Sequence, residues 1–366
     1  MTAQQGGRWL SALRNVVGRR IVLAVVVVGL VGLVLEETTR PGGPRIRRWF
    51  GGQSREVTYT PPPVATCPVD DQVDPDFAPE QLWLQATPLL CEPPTVAAQE
   101  AEELVDDDEL VLGVVLHGEA RAYPLNRMSG PQDEVLNDRI QGEPVLVTWC
   151  LKSGSGIVHS RLVDGQELTF RCAGLWRQNM LFRDEESGSI WSQLVGRAVS
   201  GPRRGTQLKP LASQVMGWSD WRRLHPETRV MVRPRTATQF RCGPEHLTPQ
   251  GLAVGVCAGS GSVRVWPLRE IKQAKVVNGY VGDEPVVLAY DPAIQVVQVR
   301  SRQVDGEELT FRGSDGLLVD DRTGTLWDPR EGEAVEGPLL GRVLRPVPAI
   351  QAFQEVWSLF GFVPTR

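Results

Sequence analysis

The stretch VDGQELTFR, residues 163–171, returns as VDGEELTFR at residues 304–312, with eight of nine letters identical. Outward from it the landmarks return in the same order. Residues 112–125, LGVVLHGEARAYPL, pair with 254–268, VGVCAGSGSVRVWPL. EPVLVTW at 143–149 pairs with EPVVLAY at 284–290, and SGSIW at 187–191 with TGTLW at 323–327. GRAVSGPRRGTQLKPL at 196–211 pairs with GEAVEGPLLGRVLRPV at 332–347. A repeat of this length is a duplicated folding unit rather than a solenoid of short motifs. Positions needed to fold should survive in both copies, whereas positions needed for chemistry can survive in one.

The runs inside each copy are short, β-branched or aromatic, and separated by turn signals, which indicates strands. Asp164-Gly165 and Asp305-Gly306 stand between strand-like runs, where a tight hairpin needs positive φ. Near the end of the first copy Trp218, Trp221 and Leu224 share one side of a short helix, and Pro226 stops it. The segment Ile350 to Phe360 ends the second copy in a comparable way. The expected architecture is mainly β: two tandem homologous β-rich domains, barrel- or sandwich-like, each with a short C-terminal helix, plus an N-terminal transmembrane helix.

That last element comes from residues 21–35, IVLAVVVVGLVGLVL, which carry no polar side chain. Arg8, Arg14, Arg19 and Arg20 precede the run. A cleavable signal peptide also has a basic start and a short apolar stretch. The Glu36-Glu37-Thr38-Thr39-Arg40 that follows offers no small-x-small cleavage site, which favours a retained anchor bounded by Arg19, Arg20, Ile21 and Leu35. Arginines at the start place the N-terminus in the cytoplasm and the body in the periplasm, with the chain crossing the inner membrane once. Fifteen residues cover only about 22 Å of a hydrocarbon core of about 30 Å, so flanking turns must supply the rest.

The reading therefore divides the chain into a basic N-terminus (1–20), a signal anchor (21–36), an extended connector (37–109), a first β-rich repeat (110–233), a linker (234–251) and a second repeat (252–366). The connector is Pro-rich, with eleven of 28 prolines between residues 41 and 94, and ends in an acidic run from Glu100 to Glu109. That run lacks the ligand spacing and turn glycine of a calcium loop and reads as a solvated face. Residues 1–50 carry a net charge of +6 within a chain of −5, so the body is acidic and nucleic acid is not an expected partner.

Six cysteines suit an oxidising compartment, and Cys67 with Cys91 is the most plausible local disulfide, since their segment has little core of its own. Eleven tryptophans are many; Trp149, Trp176, Trp191, Trp218 and Trp221 either line a groove or build a core.

Residues 112–125 together with EVLND, GEPVLVTWC, VDGQELTF and WSQLVGRAVSGP resemble the bacterial domain of unknown function 3179 family, well in the first copy and more weakly in the second. The resemblance implies no particular activity. It does imply a CPLC-like motif at the end of the EPV strand and a His before the Glu of EVND. The chain departs at both: the motif reads Cys150-Leu151-Lys152-Ser153, and the His position is Asp133, followed by Glu134. Dithiol chemistry is lost there, and a single thiolate with Asp133, Glu134 or His159 is what could still hold a metal ion. In the second copy Cys150, Ser153, His159, Asp133 and Glu134 become Asp291, Ile294, Arg300, Ala274 and Lys275, so that copy reads as scaffold. No catalytic residue and no cofactor is expected. The functional expectation is a membrane-anchored periplasmic accessory subunit, with the lipid bilayer and a larger integral membrane complex (respiratory or photosynthetic) as partners. The alternative is a metal- or ligand-binding, thiol-dependent protein using Cys150.

Overall fold

The computed structural model describes residues 45–50, 53–58, 73–83, 87–130, 133–234, 251–259 and 261–364. The chain divides into two compact units, residues 1–61 and 62–366. In the first, Arg45–Phe50 and Gln53–Thr58 pair as an antiparallel hairpin inside the expected connector. The second holds both repeats.

Besides a two-stranded hairpin at the Asp-Gly turn, each repeat distributes its strands over three small sheets, and the order is the same in both. One sheet of the first repeat runs Ser213–Gly217, Leu110–Leu116, Glu119–Pro124; its counterpart runs Ala349–Phe353, Leu252–Cys257, Val263–Pro267. The second sheet is the meander Val135–Ile140, Glu143–Cys150, Ser155–Ser160, matched by Val276–Val281, Glu284–Asp291, Val296–Ser301. The third runs Phe170–Trp176, Asn179–Asp184, Ile190–Ser192, Arg197–Ser200, matched by Phe311–Ser314, Leu317–Asp320, Leu326–Trp327, Ala334–Glu336. A short helix follows the first sheet's last strand in each copy, Trp218–Leu224 and Gln354–Leu359.

The repeated letters explain the repeated geometry. Asp164 and Gly165 have φ of 51° and 79°, and Asp305 and Gly306 50° and 84°, the left-handed pair that a two-residue hairpin requires. Asn137 brackets Phe170, donating to its carbonyl at 2.7 Å and accepting from its N–H at 2.7 Å; Asn278 does the same to Phe311 at 2.7 and 2.9 Å. Asp184 accepts the indole N–H of Trp191 at 2.8 Å and Asp320 that of Trp327 at 3.1 Å, so each buried tryptophan has its polar tip satisfied. Gly113 lies under the Trp221 ring and Gly255 under Trp357; a Cβ at either glycine would run into the indole.

The repeats share core. Ile157 and Leu194 of the first pack with Ala253, Val265, Ile350, Val356 and Trp357 of the second, and Ile294 and Val296 of the second pack with Trp218 and Val230 of the first. The Phe353 N–H donates to the Ser153 carbonyl at 2.9 Å. The segment N-terminal to the first repeat also folds onto it. Gln81–Leu82 adds a strand to Phe170–Trp176, and Thr95–Ala97 pairs with Arg229–Met231. In the acidic run Glu109 is fully buried, accepting from the Asp106 N–H at 3.1 Å and the Asn126 amide at 3.0 Å.

The membrane part of the expected architecture is corrected. Among the described residues no helix is long and apolar enough to cross a membrane. Their longest helices have seven residues, Trp218–Leu224 and Leu268–Ala274, where a span needs about 20. The expected anchor, with Arg19, Arg20, Ile21 and Leu35, lies outside the described residues, and its fifteen-residue run is itself short of a span. The transmembrane helix, the single-pass inner-membrane and periplasmic placement, and the bilayer and membrane complex as partners are therefore dropped, and the anchored accessory subunit with them. What stands is a β-rich, two-lobed molecule. Its strands divide among small sheets because each copy breaks them at glycine turns every few residues.

Candidate functional site

The position of the expected motif holds no reactive centre. Cys150 ends the strand Glu143–Cys150 and is buried with Cys172, Phe170 and Trp191. Burial, and after it the nearby Glu134 carboxylate, pushes its thiol up to about 11. Burial likewise pushes the Cys172 thiol well above its ordinary value. Glu134 is half-buried, and desolvation pushes its carboxyl up to about 8. Asp133 is taken by an ion pair with Arg233 at 2.7 Å. His159 does not join them. It pairs with Leu146 on the neighbouring strand, four residues from Cys150, roughly 13 Å at the usual strand rise. Among the described residues no group of three His, Cys, Asp or Glu is placed to hold a metal ion. The metal- or thiol-dependent reading is thus overturned: a thiol kept protonated by its apolar surroundings is neither a nucleophile nor a ligand at neutral pH. Of the expected disulfide, Cys91 is exposed and Cys67 lies outside the described residues.

Where the motif's second cysteine would stand, Ser153 enters a closed polar network. Its hydroxyl lies 2.7 Å from that of Ser155, which donates to the Gln193 carbonyl oxygen at 2.8 Å. Asn179 donates to the same oxygen at 2.7 Å and to Ser153 at 3.0 Å. The Gln193 amide donates to Thr148 at 3.2 Å and to the Ser155 carbonyl at 3.1 Å. All five side chains are fully buried, and a satisfied network of this kind rigidifies rather than reacts. Serine and glutamine spacing in the sequence gave no sign of it, because its members come from three strands and two turns.

An open site lies elsewhere, between the repeats. A cleft of about 590 Å³ has His159, Trp176, Leu194 and Lys209 on the first repeat's side and Val263, Ile350, Phe360 and Phe362 on the second's. Its aromatic wall is stacked edge to face. Trp176 meets Phe77 at 5.3 Å and Phe360 at 5.4 Å between ring centroids, and the Arg177 guanidinium lies 4.4 Å from the Trp176 centroid. Three arginines on the lining are already paired: Arg197 with Asp74 at 2.8 Å, Arg177 with Asp76, and Arg345 with Glu284. Cys257 also lines the cleft, its thiol pushed up to about 12 by burial.

His159 sits on the cleft's inner surface, 1% exposed, and its Nδ1 has no hydrogen-bond partner. Burial alone pulls its pKa down to about 3, so the ring is neutral. Gly196 makes room for it: a Cβ there would lie 2.8 Å from the His159 Nε2 and 3.0 Å from the Gln207 amide nitrogen. Sequence reasoning named His159 but assigned it to the wrong centre. Lys209, Phe360 and Phe362 it missed altogether, since nothing in their local sequence marks them and only the packing of one repeat on the other brings them together. The tryptophans resolve into core. Trp149, Trp191 and Trp218 are among the largest fully buried side chains, and of the five only Trp176 reaches the cleft.

The model of the family described as "Protein of unknown function (DUF3179)" matches the chain twice, over residues 85–246 and 243–360. The chain belongs to the DUF3179 family. Both of its copies are members, in tandem, which agrees with the repeated sheet order. Among curated proteins and among solved structures nothing matches.

Within this DUF3179 tandem the two copies differ most tellingly at His159. The equivalent Arg300 is satisfied by its own repeat, donating to the Pro329 carbonyl at 3.3 Å and to that of Arg330. Where Cys150 is buried in the first copy, Asp291 in the second pairs with Arg330 at 2.5 Å. The second copy has closed its polar positions on themselves. The first leaves the buried Nδ1 of His159, a residue on the lining of the open cleft, without a protein partner.

Proposed function

We propose that this DUF3179 protein binds a small molecule in the cleft between its two repeats. The observation that carries the reading is the buried, unpartnered Nδ1 of His159 on the lining of that cleft. An unsatisfied buried polar group costs about 1–3 kcal/mol, and the cost is recovered when a ligand supplies the missing partner. The cleft's volume supports it, lying inside the roughly 300–1,000 Å³ of small-molecule sites. So does its composition, a mainly apolar and aromatic surface with charged and polar side chains set among it. The duplication then has a use: neither repeat alone supplies both walls.

The test is titration with the fluorescent probe anilinonaphthalene sulfonate, whose ring system suits the aromatic wall. A Cβ added at Gly259 meets nothing within 4 Å, so Gly259→Trp introduces a bulky ring at an open position of the cleft lining. The wild-type chain is expected to show one saturable site, and Gly259→Trp to weaken it by about tenfold or more, the effect of losing about 1.4 kcal/mol of contact. Equal binding by both proteins, or none by the wild type, overturns the reading.

A further inference from the structure

We infer that the cleft selects an amphipathic anion, an organic carboxylate with an apolar body; this rests on the binding reading above. Charge decides the head group. The lining carries four cations, Arg177, Arg197, Arg345 and Lys209. The three arginines each pair with a carboxylate, Arg177 with Asp76, Arg197 with Asp74 (which also holds Arg204) and Arg345 with Glu284. Of the four, Lys209 alone has no ion-pair or hydrogen-bond partner for its ammonium among the described residues, so it is the cation left to meet an anionic head group.

Geometry places the polar groups together. Lys209 precedes Pro210, which pairs with His159 across the strand edge, and the Lys209 carbonyl accepts the N–H of Ser160 at 2.9 Å. Lys209 and His159 thus come from adjoining segments of the lining, with the Gln207 amide near the imidazole. A neutral imidazole has one N–H to donate, and a carboxylate only accepts, so the two are complementary where a second donor would not be. Trp176, Leu194, Val263, Ile350, Phe360 and Phe362 give the lining a broad apolar and aromatic surface. An apolar body of about one ring and a short chain fits this wall, and its burial supplies the affinity that a single exposed lysine cannot.

Calorimetric titration of the full chain at neutral pH with two probes of one shape tests this: phenylpropanoate and phenylpropanol. Phenylpropanoate is expected to bind at least about tenfold more tightly than the alcohol, the effect of one charge-assisted contact. In Lys209→Met the acid should fall to the level of the alcohol, while the alcohol's own affinity holds. Lys209 is exposed, so the variant keeps the fold. Equal binding of acid and alcohol, or a Lys209→Met variant that still prefers the acid, overturns the inference. If anilinonaphthalene sulfonate binds the cleft and neither of the two does, the ligand class is wrong and the binding reading stands. If the dye fails as well, both fall.

Discussion

Arg161→Leu is expected to destabilise the first repeat by about 3–5 kcal/mol, the loss found when one partner of a buried charged network is removed. Arg161 is almost wholly buried, and its guanidinium ties two strands and the segment at Leu168 through backbone carbonyls. Its Nε donates to the Val145 carbonyl at 2.9 Å, Nη1 to Leu168 at 2.7 Å and Nη2 to Asp138 at 3.1 Å, with Glu167 at 3.0 Å balancing the charge. Leucine fills part of the space but leaves three acceptors without this donor, each lost partner costing about 1–3 kcal/mol. Lysine keeps the charge but not the planar fork, so Arg161→Lys should recover only part of the loss. The second repeat contains the same device. Arg302 donates to Val286 at 3.0 Å, Leu309 at 2.6 Å and Gly279 at 3.3 Å, and pairs with Glu308 at 2.9 Å. Urea unfolding followed by tryptophan fluorescence measures the effect; a loss under about 1 kcal/mol would show that the carbonyls find other partners.

The second large effect belongs to the seam between the repeats. Trp357→Ala is expected to cost about 3–5 kcal/mol. The ring is fully buried against Gly255, and it packs in the cluster that joins Ile157 and Leu194 of the first repeat to the second. Filling from the other side should also be costly. Gly255→Ala sets a methyl into the indole and should cost about 1–3 kcal/mol or more, since the ring has no free space to move into. Trp357→Phe should be milder than alanine. The Trp357 indole N–H is buried without a partner, so phenylalanine removes an unsatisfied donor while keeping most of the apolar area. Because Leu194 and Ile350 belong both to this cluster and to the cleft lining, Trp357→Ala should also weaken dye binding. Thermal unfolding of the three variants decides it: a small and equal loss in all three would mean the seam is not tightly packed.

How far these features could be read from the letters depended on whether they were local or assembled. The Asp-Gly turns and the Trp191 and Trp327 positions were legible because a turn and its strand pair lie within a few residues, and the duplication marked them twice. The three-sheet order was legible only as a repetition, since periodicity says that strands exist but not how they divide. Arg161 and Arg302 went unread although the signal was there: Ser-Arg stands two residues before Val-Asp-Gly in each copy, and a charge kept at a buried site implies a partner network. Asn137 and Asn278 gave the same kind of hint. The short strand Gln81–Leu82 had no signal, because two residues in a proline-rich segment form a strand only when an existing sheet edge receives them. The anchor was read from an apolar run, the arginines before it and the lack of a cleavage site; that run lies outside the described residues, among which no helix is long and apolar enough to cross a membrane. The cleft was the least legible feature. Its walls come from residues more than a hundred positions apart, and His159 was read with Cys150 when the strand register separates them.

The most direct measurement is the imidazole resonance of His159 by nuclear magnetic resonance, assigned by its disappearance in His159→Gln. A ring buried in the free protein with its pKa pulled down to about 3 should not titrate between about pH 8 and 5, where an exposed histidine of pKa about 6.5 moves fully. On addition of anilinonaphthalene sulfonate the resonance should shift and saturate with the fluorescence, and in Gly259→Trp it should stay still. A resonance that titrates near pH 6.5 in the free protein, or that ignores the dye while the dye binds, would contradict the account: the ring would then be hydrated, or the site elsewhere.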